Sequence, residues 1–548
     1  MRKNLLLSMA MFALAMPAVR AQQTIKYSWN NLPKAQTPVF KKDTFNILKY
    51  GAVADGLTLN TKAINEAITA CSAKGGGVVL IPQGLWLTGP IVMKSNVNLH
   101  VSRAALVQFT ADKSKYALVE GNFEGHPSVR NESPISGTNL QNIAITGDGI
   151  FDGHGEVWRA IAKERLTDLE WKQLVASGGV VSTDGKNWYP SESYIKGNTS
   201  KDATYIKPGK TLADYADMKD FFRPNMLVLN NCKKVLLQGA TFQNSPAWCL
   251  HTLLCEDLTL RDVHVRNPWN ASNGDGIDVE SCRNILIEGS TFDAGDDGIC
   301  IKSGRDEDGR KRGKPTENAV IRNNVVYRAH GGFVIGSEMS GGARNLFVTD
   351  CTFIGTDVGL RFKTVRGRGG IVENIFIKNI AMRDIVGNAV LFDMYYMTKA
   401  VPLGQKAEIP AVNEGTPQFR NFWVSNVSCD GAGGAILVRG LPELAIKDIH
   451  LENMTIKADK GVEIVDGNNI TLKNIKLEIK DTKRLLYVEN SGNVVLDGIK
   501  SLQPTDLFLS FNGDRMGKVE LLHSDAANAK TKTEFNYGAS KSLLTEVK

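Results

Sequence analysis

The stretch "RNILIEGSTFDAGDDGICIKSG", residues 283–304, holds two short apolar alternations joined by a turn. Ile285 and Ile287 share one face of the first, Ile299 and Ile301 one face of the second, at the period of two that a strand imposes. The first half recurs along the chain as "KKVLLQGATF" (233–242), "EDLTLRDVHV" (256–265), "ENAVIRNNVV" (317–326), "RNLFVTDCTF" (344–353), "ENIFIKNIAM" (373–382), "RNFWVSNVSC" (420–429) and "NNITLKNIKL" (468–477). The intervals leave no room for a helix between strands. Such a series predicts an all-β chain, a single-stranded right-handed parallel β-helix (solenoid) whose coils stack on a column of inward side chains.

The second half also recurs. "GDGIDVES" (274–281), "HGGFVIGS" (330–337) and "DVGLRFKT" (357–364) align with "DDGICIKS", placing Gly276, Gly298, Gly332 and Gly359 in register. Alternation turns Ile277, Val279, Ile299, Ile301, Phe333, Ile335, Leu360 and Phe362 inward. Asp278, Glu280, Cys300, Lys302, Arg361 and Lys363 then face away from the core, and Asp275, Asp296, Asp297 and His330 occupy the preceding turns. Adjacent parallel strands lie about 4.8 Å apart, so these residues converge on one strip. Asn284, Asn318, Asn345, Asn374, Asn421 and Asn469 predict amide ladders between coils.

The flanks read differently. Residues 1–21 carry Arg2 and Lys3, an apolar run, and Val19 and Ala21 before Gln22, which predicts a cleaved signal peptide and an exported, periplasmic or extracellular protein. Residues 22–110 read as an N-terminal segment and cap, with an N-terminal capping helix over "NTKAINEAITACSAKGGG" that groups Ala63, Ile64, Ala67, Ile68 and Cys71. Residues 111–523 read as the β-helix domain, interrupted by an insertion at 154–224. That insertion opens on a helical pattern and is rich in Trp188, Tyr189, Tyr194, Tyr205 and Tyr215, which either stack on sugar rings or form its own small core. Residues 524–548 read as a polar, loosely packed tail.

Net charge is +7, or +4 without Arg2, Lys3 and Arg20, too mild to indicate a nucleic-acid partner. No other stretch is apolar enough for a membrane span, and a monomer is expected. The eight cysteines show no CxxC spacing and read as buried small hydrophobes.

Three carboxylates, an imidazole and two cations on one face are costly as structure alone. Glycosidic hydrolysis needs such a set: a protonated carboxyl for the leaving oxygen and an ionised one to activate water. Crowding serves this, because mutual repulsion keeps a proton bound.

"NGDGID" (273–278), "GDD" (295–297), "HGG" (330–332) and "RFK" (361–363) resemble the four ordered signatures of glycoside hydrolase family 28, the polygalacturonases and their relatives. Gly274, Ala329 and Phe362 depart from the usual residues, and none removes a charge. The resemblance implies a secreted pectin-degrading enzyme that cleaves α-linked galacturonic acid with inversion, acting on an acidic pectic polysaccharide or oligosaccharide, with no cofactor and no metal. It makes Asp296 the general acid, Asp275 and Asp297 the residues that hold and deprotonate water, and His330 the support of the acid. Arg361 and Lys363 would bind substrate, as would a tyrosine of "FDMYY", Tyr395 ahead of Tyr396. Lys302, in the outward row of Lys363, and Asn273, which shapes its turn, are further substrate-binding candidates.

Alternatives stay open. Asp278 is a structural ion pair or a functional group, Glu280 a solvated partner of Lys302, and Glu338 a local ion-pair partner. "SGRDEDGRKRGKP" (303–315) is a solvated basic loop or, as in bacterial exo-acting members it resembles, a wall over the groove that favours release of terminal sugar. A rhamnogalacturonan or side-chain hydrolase, a calcium-dependent pectate lyase and a non-catalytic glycan-binding β-helix are the competing functions.

Overall fold

The structure is a computed structural model describing residues 27–547; the signal segment read at 1–21 lies outside the described residues. The described residues divide into a short unit that ends at residue 32, where Ser28 and Asn31 bridge across a turn, and a large unit that begins at residue 33.

In the large unit the repeats pair in parallel, coil upon coil. Arg283–Glu288 lies between Glu256–Arg261 and Thr316–Arg322, with Ile285 opposite Leu258 and Ala319. Ile277–Glu280, Asp297–Lys302, Gly331–Ile335 and Leu360–Lys363 form a second column, with Asp278 opposite Cys300, Cys300 opposite Val334 and Val334 opposite Arg361. His264–Arg266, Thr291–Asp293 and Val325–Tyr327 form a third. These columns enclose one lumen, the right-handed parallel β-helix that the repeats predict. Ile277, Val279, Ile299, Ile301, Phe333, Ile335, Leu360 and Phe362 are all fully buried in it, each worth about 1.5–3 kcal/mol of burial. Phe362 also packs on Phe392 and Phe422, with ring centres 4.6 and 5.0 Å away.

The asparagine positions explain how the turns stack. Asn284, Asn318, Asn345 and Asn374 all adopt φ between 56° and 60°, the left-handed region that asparagine tolerates. Their amides then bridge coils, Asn345 to Asn318 at 3.1 Å and Asn374 to Asn345 at 3.3 Å, with Asn421 bonded to Asn374 in turn. One residue type satisfies both the backbone and the ladder.

The helix Thr61–Ala73 buries the five predicted residues against Thr44–Asn46 and Gly77–Ile81. The boundary at 110 does not separate cap from coil, because Gly77–Ile81 pairs with Val97–Val101, which pairs with Gln141–Thr146. Strands interrupted by a hairpin and an insertion carry too little of the repeat to reveal it in sequence. The tail is likewise corrected. Ala529–Asn536 pairs with Thr505–Asn512 and Leu544–Val547 with Val519–Leu522, adding a rung whose polar outer face ends the solenoid. All eight cysteines are buried and free.

In the insertion, the helical pattern from Glu156 resolves into short 3₁₀ turns and one helix, Asp168–Ala176, begun by a Thr167/Glu170 capping box. A second helix spans Glu192–Thr199. Tyr215 packs with Phe222, Val129 and Ala203, while Tyr194 sits between Tyr189 and Phe221. Trp188 donates to the Gly178 carbonyl at 2.7 Å. These aromatics form the insertion's own core; Tyr205, stacked on His126 at 3.9 Å, is the more exposed one.

Candidate active site

Successive coils deliver Asp275, Asp296 and His330 at equivalent turns. The Gly276 amide donates to the Asp297 carbonyl at 2.8 Å and the His330 amide to the Asp296 carbonyl at 2.8 Å, so the turns are stapled together. Glycine follows them because a Cβ at Gly276 would come within 2.4 Å of the Gly298 carbonyl oxygen. Asp275, Asp296 and Asp297 each bring one oxygen to within 4.8 Å of the others.

The three carboxyls nonetheless differ. Asp297 is buried and clamped: Lys363 Nζ donates to Oδ2 at 2.7 Å and Arg361 Nη1 to Oδ1 at 3.1 Å. Burial alone would raise its pKa, but Lys363, Arg361 and Lys302 outweigh it and hold the group below the usual carboxylate range. Asp275 is as buried and lacks such a clamp; burial first, then Asp278 and Asp296, push it well up, and its Oδ1 has no partner. Asp296 faces out. Its Oδ1 accepts from the Asp297 amide at 2.9 Å and lies 3.1 Å from His330 Nδ1. That contact, working against burial, raises the imidazole's pKa. Burial and crowding thus push Asp275, at the bottom of the site, up, while the cations push its neighbour Asp297 down.

The site extends beyond the expected residues. Asp357, in the turn equivalent to those of Asp296 and His330, puts Oδ2 3.7 Å from His330 Nε2. Its signal was the turn register itself. Tyr396, not Tyr395, lies beside the cations, its ring centre 4.8 Å from Lys363 Nζ and 5.8 Å from Arg361 Cζ. Tyr395 is buried, with its hydroxyl 3.4 Å from Arg366. Two adjacent tyrosines after a strand point to opposite sides, and alternation did not decide which side met the groove. Asn273, at φ 54°, shapes its turn and accepts from Arg223 at 2.7 Å.

The outward row is covered on the coil of Asp296 and on the one before it. Lys302 is buried, bonded to Glu338 at 2.9 Å, 3.6 Å from Asp278 and 4.8 Å from the Trp248 ring centre, and is held in an ion-pair network. Both oxygens of Asp278 lack hydrogen bonds, and burial pushes its pKa well up. Glu280, far from solvated, is fully buried between His251, at 3.0 Å, and Arg312, at 2.5 Å. Glu338, pushed down to about 2 against its burial by Lys302 and Arg368, belongs to the same network. What hides these groups is the 303–315 loop, folded as a helix over Asp306–Arg312. Arg305 pairs with Glu124 at 2.8 Å and Arg310 with Glu414 at 3.4 Å. Its arginines are struts, not solvated charges.

Residues 163–416 match the model of glycosyl hydrolases family 28, and residues 44–214 match a second, rhamnogalacturonase A/epimerase, pectate lyase-like. The chain is 28% identical to a probable polygalacturonase of Vitis vinifera, over 75% of this chain and 74% of that protein. It is 27% identical to an exo-poly-alpha-D-galacturonosidase of Dickeya chrysanthemi, over 84% and 75%. Its fold superposes on the hyperthermoactive exopolygalacturonase of Thermotoga maritima with a TM-score of 0.65 and 30% identity, covering 81% of this chain and 94% of that one.

Proposed function

The chain belongs to glycosyl hydrolases family 28, and from that premise we propose that it is an exported, pectin-degrading hydrolase that removes terminal α-linked galacturonic acid with inversion. The observation that carries the reading is the Asp296 and His330 pair standing over an Asp297 gripped by two cations. Relatives named for polygalacturonic acid support the substrate. The second family match ends at residue 214, before any site residue, and so gives no reason to prefer rhamnogalacturonan.

In this mechanism Asp296 is the general acid. It shares a proton with His330 and passes it to the leaving oxygen. Asp297, ionised, accepts the proton of a water that Asp275 helps to hold, and that water attacks the anomeric carbon from the opposite face. Asp297 then returns the proton to its neighbour Asp296. Arg361 and Lys363 meet the carboxylate or ring oxygens of the sugar while keeping Asp297 charged.

The close carboxyls alone would suit a retaining enzyme, in which one of them attacks carbon directly. Here the two that could do so are buried, and Asp297 is a weak nucleophile in its clamp. The covered row supports exo action: Glu280, Arg312, Arg305 and Glu124 wall off the coil preceding Asp296, which leaves room for a chain end.

Product profiling on polygalacturonate and a panel of pectic polymers tests the reading, with proton NMR of the first product. Monomer in the first minutes, released as the β-anomer, is expected. A ladder of oligomers would refute exo action, an initial α-anomer would refute inversion, and ultraviolet-absorbing unsaturated ends would replace hydrolysis by a lyase.

A further inference from the structure

Behind the antiparallel hairpin of Leu118–Phe123 and His126–Asn131 lies a chamber of about 430 Å³ that no step above uses. Its floor belongs to the column that carries the site, on earlier coils: Ser136, Val228 and His251 lie in one register row with Asp278. Its roof is the hairpin, which contributes Asn122, Arg130 and Asn131. The chamber is within the size range of small-molecule sites.

Arg130 is the residue that demands a partner. It is 6 % exposed, yet among the described residues no carboxylate lies within ion-pair distance of it. Nη2 donates to the Arg223 carbonyl and to Asn225 Oδ1, the latter at 3.3 Å, and the guanidinium sits 4.1 Å from the Phe123 ring centre. Among the described residues Nε and Nη1 donate no hydrogen bond. Burial first, and then Arg223 beside it, push its pKa down to about 9, against the weaker pull of the more distant Glu124.

The walls also hold orphan acceptors. Asn131 spends its Nδ2 on the carbonyls of Lys219 and Phe222, at 2.7 and 2.9 Å, which fixes the amide and leaves Oδ1 buried and unpartnered. The amide oxygens of Asn122 and Asn230 are in the same state. Buried acceptors are ordinarily satisfied, and all three of these belong to residues that line one cavity. Two carboxyls also line the space, the exposed Glu120 and the half-buried Glu132, and neither lies within ion-pair distance of Arg130. The buried His251, Glu280 and Arg312 contacts lie between the chamber and Asp296.

We propose that this chamber is a second binding site, holding one carboxylate-bearing sugar with its carboxylate on Nε and Nη1 of Arg130 and its hydroxyls among the asparagines of the walls. That an anion binds follows from Arg130; that the anion is a uronic sugar rests on the function proposed above.

Calorimetric titration of the full chain with galacturonate, and with neutral galactose as control, tests it. Wild type should show a galacturonate site that galactose does not fill. Arg130→Gln should weaken that site by roughly tenfold or more, the ordinary value of a charged hydrogen bond. Val228→Phe fills the floor while keeping every hydrogen bond of Arg130, and should abolish the site even if Arg130→Gln fails to fold. A crystal structure with galacturonate should put the carboxylate on Arg130. An empty chamber there, equal affinity for galactose, or a galacturonate site untouched by Val228→Phe would overturn the proposal. Because the titration reads binding alone, a wild-type chain that bound galacturonate at Arg130 but hydrolysed no pectic polymer would sink the proposed function and leave this site standing.

Discussion

Lys363 Nζ stands 2.7 Å from Asp297 Oδ2, although the two residues are 66 positions apart, and the cation's pKa is raised as the carboxylate's is lowered. Neither would be tolerated alone where it is buried. Two coils, each contributing half of an ion pair, thus supply an ionised carboxylate at the base of a groove.

The Lys363→Met substitution should remove that support. Activity on polygalacturonate should fall by at least about a hundredfold, the low end of what acid–base groups contribute, and stability at pH 7 by about 3 kcal/mol. The sign of the pH dependence is fixed by the lowered pKa. Stabilisation by Asp297 is present above the ordinary aspartate value of about 3.9 and is lost as pH falls through the depressed one. Urea denaturation of wild type and variant should therefore converge in acid. A deficit that is constant from pH 7 to pH 3 would count against the clamp.

His330 carries a raised pKa because Asp296 hydrogen-bonds it, so it stays cationic to higher pH than a free imidazole. If it feeds the acid's proton, kcat should decline as pH rises through that raised value. His330→Asn should lower kcat by about a hundredfold and move the alkaline limb of the profile, whereas Asp296→Asn should leave binding and no reducing-sugar release. An alkaline limb unchanged in His330→Asn would assign it to another group.

The two tyrosines separate cleanly. Tyr396→Ala should lose the ring under Lys363 and Arg361, costing about 0.5–2 kcal/mol, read as a rise in KM for galacturonides. Tyr395→Phe should cost only the bond to Arg366, and kinetics should stay within about twofold. The reverse result would restore Tyr395 to the groove.

Much of this was legible in the sequence because a parallel solenoid converts a repeat directly into a stack. Register placed Asp275, Asp296, Asp297, His330, Arg361 and Lys363 on one strip without any coordinate. The asparagine ladder was legible too, though not its reason, a left-handed turn at each rung. What sequence could not give was cover. Alternation says that Glu280 and Lys302 leave the lumen, not that a loop anchored to Glu124 and Glu414 lies over them. Nor does it reveal that Ala529–Asn536, polar but for Ala529 and Phe535, continues the coil, because the last rung has solvent where others have a neighbour.

That cover yields the last prediction. The 303–315 loop covers Glu280 through Arg312 and is pinned by Arg305 to Glu124, which on the exo reading proposed above makes it the end wall of the groove. Replacing 305–313 with a short Gly/Ser linker, together with Glu280→Gln so that no buried charge is left unpaired, should open the groove by one coil. The products of the first minutes should then shift from monomer towards dimer and longer oligomers, with lower kcat/KM on trimers because a chain end no longer finds a wall. The milder pair Arg305→Ala and Glu124→Ala should shift products in the same direction to a smaller extent, since that ion pair is partly exposed and weak on its own. Product ratios by chromatography decide the matter: a folded loop-replaced enzyme that still released only monomer would mean that the wall lies elsewhere on the solenoid.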